Sequence, residues 1–144
     1  MSLADVSAVL SAASLGAMLF FSAAIAPTVF QALPEAEAGK FLRAFFPRYF
    51  LINGEVIGLA AIMALFNGRV LLSLAMAASA ALMIAVRFYA IPIINDARDR
   101  ATAGDEAAKR KFDAWHRGTV IINLIAMIVL AVAIYMLLAP VVIS

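Results

Sequence analysis

The chain has 144 residues, of which 66% are apolar and only 14% are charged, whereas a soluble domain is about half apolar and about a quarter charged. A soluble fold of this size is excluded, and so is a disordered chain, which needs low hydrophobicity and high charge. With no cysteine and a net charge of only +2, disulfides, thiolate metal sites, thiol catalysis and a general nucleic-acid surface are excluded as well.

About 20 apolar residues at helical rise cross a hydrocarbon core of roughly 30 Å, and four stretches of the chain meet that length. Span one covers residues 6–33, from Val6 to Leu33, without an ionisable side chain; Pro27 near its far end removes a backbone donor and predicts a kink. The start Met-Ser-Leu-Ala-Asp lacks the basic region of a signal peptide, so this span is expected to be retained. The following segment, Pro34 to Phe50, mixes Glu35, Glu37, Lys40, Arg43 and Arg48 with Phe41, Phe45 and Phe46. It predicts a short helix at the headgroup level, ended by Pro47. Span two, residues 49–66, is interrupted by Glu55. Phe66-Asn67-Gly68-Arg69 reads as a tight reversal in which Asn-Gly supplies positive φ values, so spans two and three form a hairpin.

Span three, residues 70–94, contains Arg87 and Pro92, and span four, residues 118–143, carries no charge. Between them, Asn95 to Arg117 is the only strongly hydrophilic stretch and is expected as a loop. The predicted fold class is all-α: an integral-membrane, antiparallel four-helix bundle forming a single four-span domain over residues 1–144, with a short interfacial helix between spans one and two. Its first partner is the lipid bilayer.

Basic residues are retained on the cytoplasmic side of short connections. Lys40, Arg43, Arg48, Arg98, Arg100, Lys109, Arg110, Lys111 and Arg117 lie in the first and third connections, and Arg69 alone lies in the second. This predicts an inner-membrane protein with both termini periplasmic and connections one and three cytoplasmic. Lys109-Arg110-Lys111 beside a span then sets topology or meets anionic lipid, and no nucleic-acid partner is expected.

Helices in lipid pack through small residues. Ser7, Ser11, Ala12 and Gly16 in span one, Gly54 and Gly58 in span two, and Ala77 to Ala81 in span three supply them. The Gly54-xxx-Gly58 face serves either packing within the monomer or a contact in a homodimer or larger membrane complex.

Polar side chains at membrane depth are costly unless paired, protonated or wetted. Counted inward from Arg48 and Asp96, Glu55 and Arg87 fall at similar depths on neighbouring antiparallel spans, so an ion pair between them is expected. Asn53 joins the same layer, and His116, Thr119 and Asn123 share one face of span four by their spacing. The candidate binding residues are therefore Glu55, Arg87, His116, Asn123 and Asn53. Two readings stay open: a polar set that fixes helix register, or a cavity open to the cytoplasm that binds a small polar or amphipathic ligand.

His116 is the only histidine and no Glu-xx-His pair exists, so no metal site is predicted. No cofactor is predicted either; haem, which needs one axial histidine, is the single group left open at His116, with a methionine as second ligand. No phosphate loop, nucleophile elbow or Ser-His-Asp set marks an enzyme, and no catalytic residue is nominated.

Several motifs carry a resemblance. Phe30-Gln31-Ala32-Leu33-Pro34 closes span one, and Ala44-Phe45-Phe46-Pro47-Arg48-Tyr49-Phe50 opens span two. Val86-Arg87-Phe88 with Pro92 and Asn95 to Arg98 ends span three, and Phe112-Asp113-Ala114-Trp115-His116-Arg117-Gly118-Thr119 with Asn123-Leu124 opens span four. Across nearly its whole length the chain resembles the transmembrane-protein-205-like family, four-span proteins of bacteria and eukaryotes described largely as a domain of unknown function. Thr119 stands where that family usually has Ser and keeps the hydroxyl. The resemblance implies fold and membrane residence and no established reaction; its pattern includes Arg87, His116 and Asn123.

The functional expectation is a ligand-binding or transport-accessory protein. Its alternatives are a structural subunit or assembly factor of a larger membrane complex and a haem-linked redox protein.

Overall fold

A computed structural model of the chain describes residues 1–139. Helix α1 (Leu3–Phe20) continues through a π-helical turn, Phe21–Ile25, into α2 (Ala26–Ala32), and α3 covers Glu35–Phe66. Helix α4 (Val70–Ala85) continues through a second π-helical turn, Val86–Ala90, into α5 (Ile91–Thr102), and α6 covers Glu106–Leu138. Four continuous rods result, Leu3–Ala32, Glu35–Phe66, Val70–Thr102 and Glu106–Leu138, each long and apolar enough to span a membrane. They pack as an antiparallel bundle in which each rod touches its two neighbours. The chain is thus an all-helical, multi-pass membrane protein. The far end of the expected fourth span, residues 140–143, lies outside the described residues.

The connections are shorter than the sequence suggested. Only Leu33 and Pro34 separate α2 from α3, and only Ala103-Gly104-Asp105 separates α5 from α6. The charged stretch expected as a loop from Asn95 to Arg117 is helical on both sides of that turn, where Gly104 adopts φ 96°. Its composition explains this: Ala, Arg, Lys and Glu, good helix formers, make up most of Asp-Ala-Arg-Asp-Arg-Ala and all of Glu-Ala-Ala-Lys-Arg-Lys. Asp105 caps α6 by accepting the Ala108 N–H at 3.0 Å, with Glu106 in the first turn facing the positive end of the helix dipole. The other turn, Asn67-Gly68-Arg69, takes the expected positive φ of 78° at Gly68.

The expected separate interfacial helix is also corrected. Its residues are the first turns of α3, a single 32-residue helix with Pro47 inside it. Proline removes one donor and crowds the preceding turn, and here the Arg48 Nη1 donates to the Ala44 carbonyl at 2.8 Å in that turn. The helix nevertheless runs through the proline without a break. At about 1.5 Å per residue, rods of this length exceed a roughly 30 Å core by more than ten ångströms.

Pro27 and Pro92 behave differently. Each follows a π turn, closed by the Ala26 N–H to the Phe21 carbonyl and by the Ile91 N–H to the Val86 carbonyl. A wider turn relieves the clash a proline makes one turn back, and it redirects the helix. Both redirected segments, α2 and α5, lie at the charged end of the bundle. There α2 packs only lightly on α3 and α5 only lightly on α3, whereas α1 packs extensively on both α3 and α6.

The middle of the bundle is closed by small side chains. Ser7 donates to the Ala60 carbonyl and Ser73 to the Ala61 carbonyl, both at 2.8 Å. A Cβ on Gly54 would lie 2.7 Å from the Ile84 Cδ1 and 3.4 Å from the Ala80 carbonyl. Gly54 thus permits the close approach of α3 and α4, and Gly58 also meets Ala80. Of the two uses expected for this glycine pair, the structure realises packing within the monomer.

Candidate functional site

Where the rods part, at the charged end, they leave an open cavity of about 970 Å³. Its walls come from every rod: Phe21, Ser22, Ala26 and Phe30 from the first, Leu42, Phe46, Tyr49 and Phe50 from α3, Ile91 and Ile94 from α5, and His116, Thr119, Val120 and Asn123 from α6. Charged groups of both signs ring its mouth: Glu35, Arg43, Arg98, Glu106, Lys109 and Asp113. The cavity is aromatic and aliphatic inside and ionic at the rim, the character of a site for an amphipathic molecule.

Its inner wall is held by a chain of hydrogen bonds. The Tyr49 hydroxyl donates to the Asn123 Oδ1 at 2.7 Å, joining α3 to α6. Asn53, one turn along α3, donates to the Tyr49 carbonyl at 2.8 Å and accepts from the Ser14 hydroxyl at 2.7 Å, which joins α3 to α1. The Phe21 ring, set by the π turn, stacks on Phe45 at 4.8 Å and meets Tyr49 at 5.1 Å. Tyr49 is therefore fixed by rings on one side and an amide on the other. Among the described residues the Asn123 Nδ2 meets only the Met127 thioether at 3.5 Å, a poor acceptor. Asn123 consequently offers amide N–H capacity in the cavity wall. The Thr119 hydroxyl is occupied by the His116 carbonyl at 2.8 Å, while the His116 ring lies parallel to Phe112 with centroids 5.7 Å apart.

Two ion pairs shape the rim. Arg43 forms a bidentate pair with Asp99, the Nη1 to Oδ2 bond being 3.1 Å, and so ties α3 to α5. The hydrogen bond from Arg43 holds the Asp99 carboxyl below the usual carboxylate range and raises the Arg43 guanidinium. Arg100 pairs with Asp105 at 2.6 Å across the α5–α6 turn, and the Asp105 carboxyl is lowered first by the Ala108 N–H and then by Arg100. Arg98 lies against α3, with its guanidinium where a Cβ on Gly39 would sit, 2.5 Å from Nη2. A second recess of about 540 Å³ lies beside it, lined by Glu35, Ala36, Gly39, Lys40, Arg43, Arg98, Asp99 and Thr102.

Of the five residues nominated from sequence, the structure brings His116 and Asn123 into the cavity wall and Asn53 directly behind it. Glu55 and Arg87 are elsewhere. The expected ion pair between them is corrected: the ion pairs among the described residues are Lys40–Glu37, Arg43–Asp99 and Arg100–Asp105. Register is the reason. With Gly54 against Ala80 and Ile84, Arg87 lies about six residues, or roughly 9 Å, nearer the charged end than Glu55. Glu55 is exposed on the outside of α3, and Arg87 is half-buried with its guanidinium 5.1 Å from the Phe88 ring centroid. The residue missed was Tyr49, whose signal was its place one turn before Asn53; its hydroxyl reaches across to Asn123 on α6.

Among the described residues no group of three or more His, Asp or Glu side chains converges on one point. No curated protein and no solved structure matches the chain. A family model does match, over residues 9–103, which include the first three walls of the cavity. With four apolar rods and that match over most of its length, the chain belongs to the family described as Domain of unknown function (DUF4149).

Proposed function

We propose that this is a polytopic inner-membrane protein that binds a small amphipathic ligand in the cavity at the cytoplasmic end of the bundle, as a ligand-binding or transport-accessory protein. The observation that carries the reading is Asn123: a wall residue of a 970 Å³ cavity, oriented by Tyr49, with amide N–H capacity met only by a thioether. The matching ligand group is an oxygen acceptor. The aromatic and aliphatic lining accommodates its apolar part, and the mixed charges of the rim accommodate a polar end.

The orientation belongs to the same proposal. Nine basic residues gather at the cavity end against Arg69 alone at the other, which supports a cytoplasmic cavity and periplasmic termini. Closer kinship with the transmembrane-protein-205-like proteins is part of the same proposal and rests on the motifs that close span one, open span two, end span three and open span four.

The test is to purify the chain in mild detergent and identify the small molecules it releases on denaturation by mass spectrometry. An amphipathic species should be enriched with the wild type and lost from Asn123→Leu and from Val120→Trp, which fills the exposed edge of the cavity. Equal release from all three folded proteins would overturn the proposal.

A further inference from the structure

Glu55 is an ionisable side chain near the middle of a rod that spans the membrane, exposed on the outside of the bundle and in none of the ion pairs of the described residues. Its neighbours on that face are Ile52, Leu59 and Ile62, all about half exposed. A carboxyl facing acyl chains is costly, and relief comes from a partner that reaches the same depth. Among the described residues the bundle itself offers none. The Ser14–Asn53 and Tyr49–Asn123 bonds and the Gly54 contact fix which residues share Glu55's layer. The outward-facing ones, such as Ala12, Ala81 and Ile128, are apolar.

We propose that the outer face of α3 is a contact between two copies of this chain, centred on a hydrogen bond between Glu55 of one copy and Glu55 of the other. Copies inserted by the same charge rule stand parallel, so a two-fold axis along the membrane normal brings equal depths together. On a second copy, the polar group facing outward in this layer is Glu55 itself. Facing each other in their protonated form, the two carboxyls each donate an O–H to the other's carbonyl oxygen, so both are hydrogen-bonded and the pair leaves no charge among the acyl chains. Ile52, Leu59 and Ile62 then pack against their counterparts around that bond.

The native chain has no cysteine, so single cysteines report this contact in native membranes. Leu59→Cys should form a disulfide-linked dimer on mild oxidation, and Ile128→Cys, on the opposite rod at similar depth, should not. In the Leu59→Cys background, Glu55→Leu should weaken dimerisation roughly three- to twentyfold, the range for one hydrogen bond between membrane helices, while Glu55→Gln should retain it through its amide. Circular dichroism and size-exclusion profiles confirm that each variant folds. Equal linkage from both cysteine positions, linkage undiminished by Glu55→Leu, no linkage in folded Leu59→Cys, or linkage only to a different polypeptide would each overturn the proposal.

Discussion

The bond between Tyr49 and Asn123 should be worth measuring as a coupling, because it positions the amide on which the proposed site depends. Tyr49 is 6% exposed, and its hydroxyl lies 2.7 Å from the Asn123 Oδ1. Tyr49→Phe removes the donor and keeps the ring against Phe21 and Phe45. Because Asn123 borders a cavity that water can enter, its oxygen is then resolvated, and the cost is that of one interhelical hydrogen bond, about 0.6 kcal/mol and at most about 1.7 kcal/mol. Asn123→Ala instead strands the buried phenol, at a cost of about 1–3 kcal/mol. The double variant leaves neither partner stranded, so the two effects should fall short of additivity by about 0.5–1.5 kcal/mol. Reversible unfolding in mixed micelles gives the four stabilities. Additivity within about 0.3 kcal/mol would refute the claim that Tyr49 holds Asn123 in place.

Other consequences follow from the same geometry. Glu55→Leu and Arg87→Leu should combine additively within about 0.5 kcal/mol in monomeric micelles; a larger coupling in unfolding titrations would restore the ion pair. Gly54→Leu should cost about 1–3 kcal/mol by overpacking α3 against Ile84, while Gly58→Ala, whose Cβ would lie 3.8 Å from Ala80, should leave the unfolding free energy within about 0.5 kcal/mol of wild type. The Asp99 carboxyl is depressed in the folded state by Arg43. Its contribution is therefore present above the ordinary carboxylate range and lost as pH falls through its lowered folded value. Thermal midpoints of wild type and Asp99→Asn should run parallel near neutrality and converge in acid, and a difference that persists unchanged at low pH would contradict this.

The span count and the hairpin at Asn67-Gly68 were legible in the sequence because lipid imposes length and polarity rules that local composition displays. The shared face of His116, Thr119 and Asn123 was legible from helical period alone. What misled was depth. Counting inward from Arg48 and Asp96 placed Glu55 and Arg87 side by side, although the tight turn itself carried the better ruler: Glu55 lies 11 residues before Phe66 and Arg87 lies 17 after Val70. Charged residues mark where a helix leaves the membrane only loosely, since these rods continue past the boundary as helix. Pro47 misled for a related reason. A proline stops an isolated helix readily, but the packing of Phe45, Phe46 and Tyr49 against Phe21 holds this one through it. The cavity depends on where two π turns direct α2 and α5, which no periodicity encodes.

A photo-reactive phenylalanine analogue placed at Val120 in the cavity edge, compared with one at Val132 further along α6, tests occupancy of the site in intact membranes. Both positions are about half exposed, at 53% and 47%. Illumination should attach one discrete small amphipathic molecule at Val120, absent at Val132 and reduced by Asn123→Leu. The same mixture of bulk lipid at both positions, unaltered by Asn123→Leu, would mean that the cavity selects nothing.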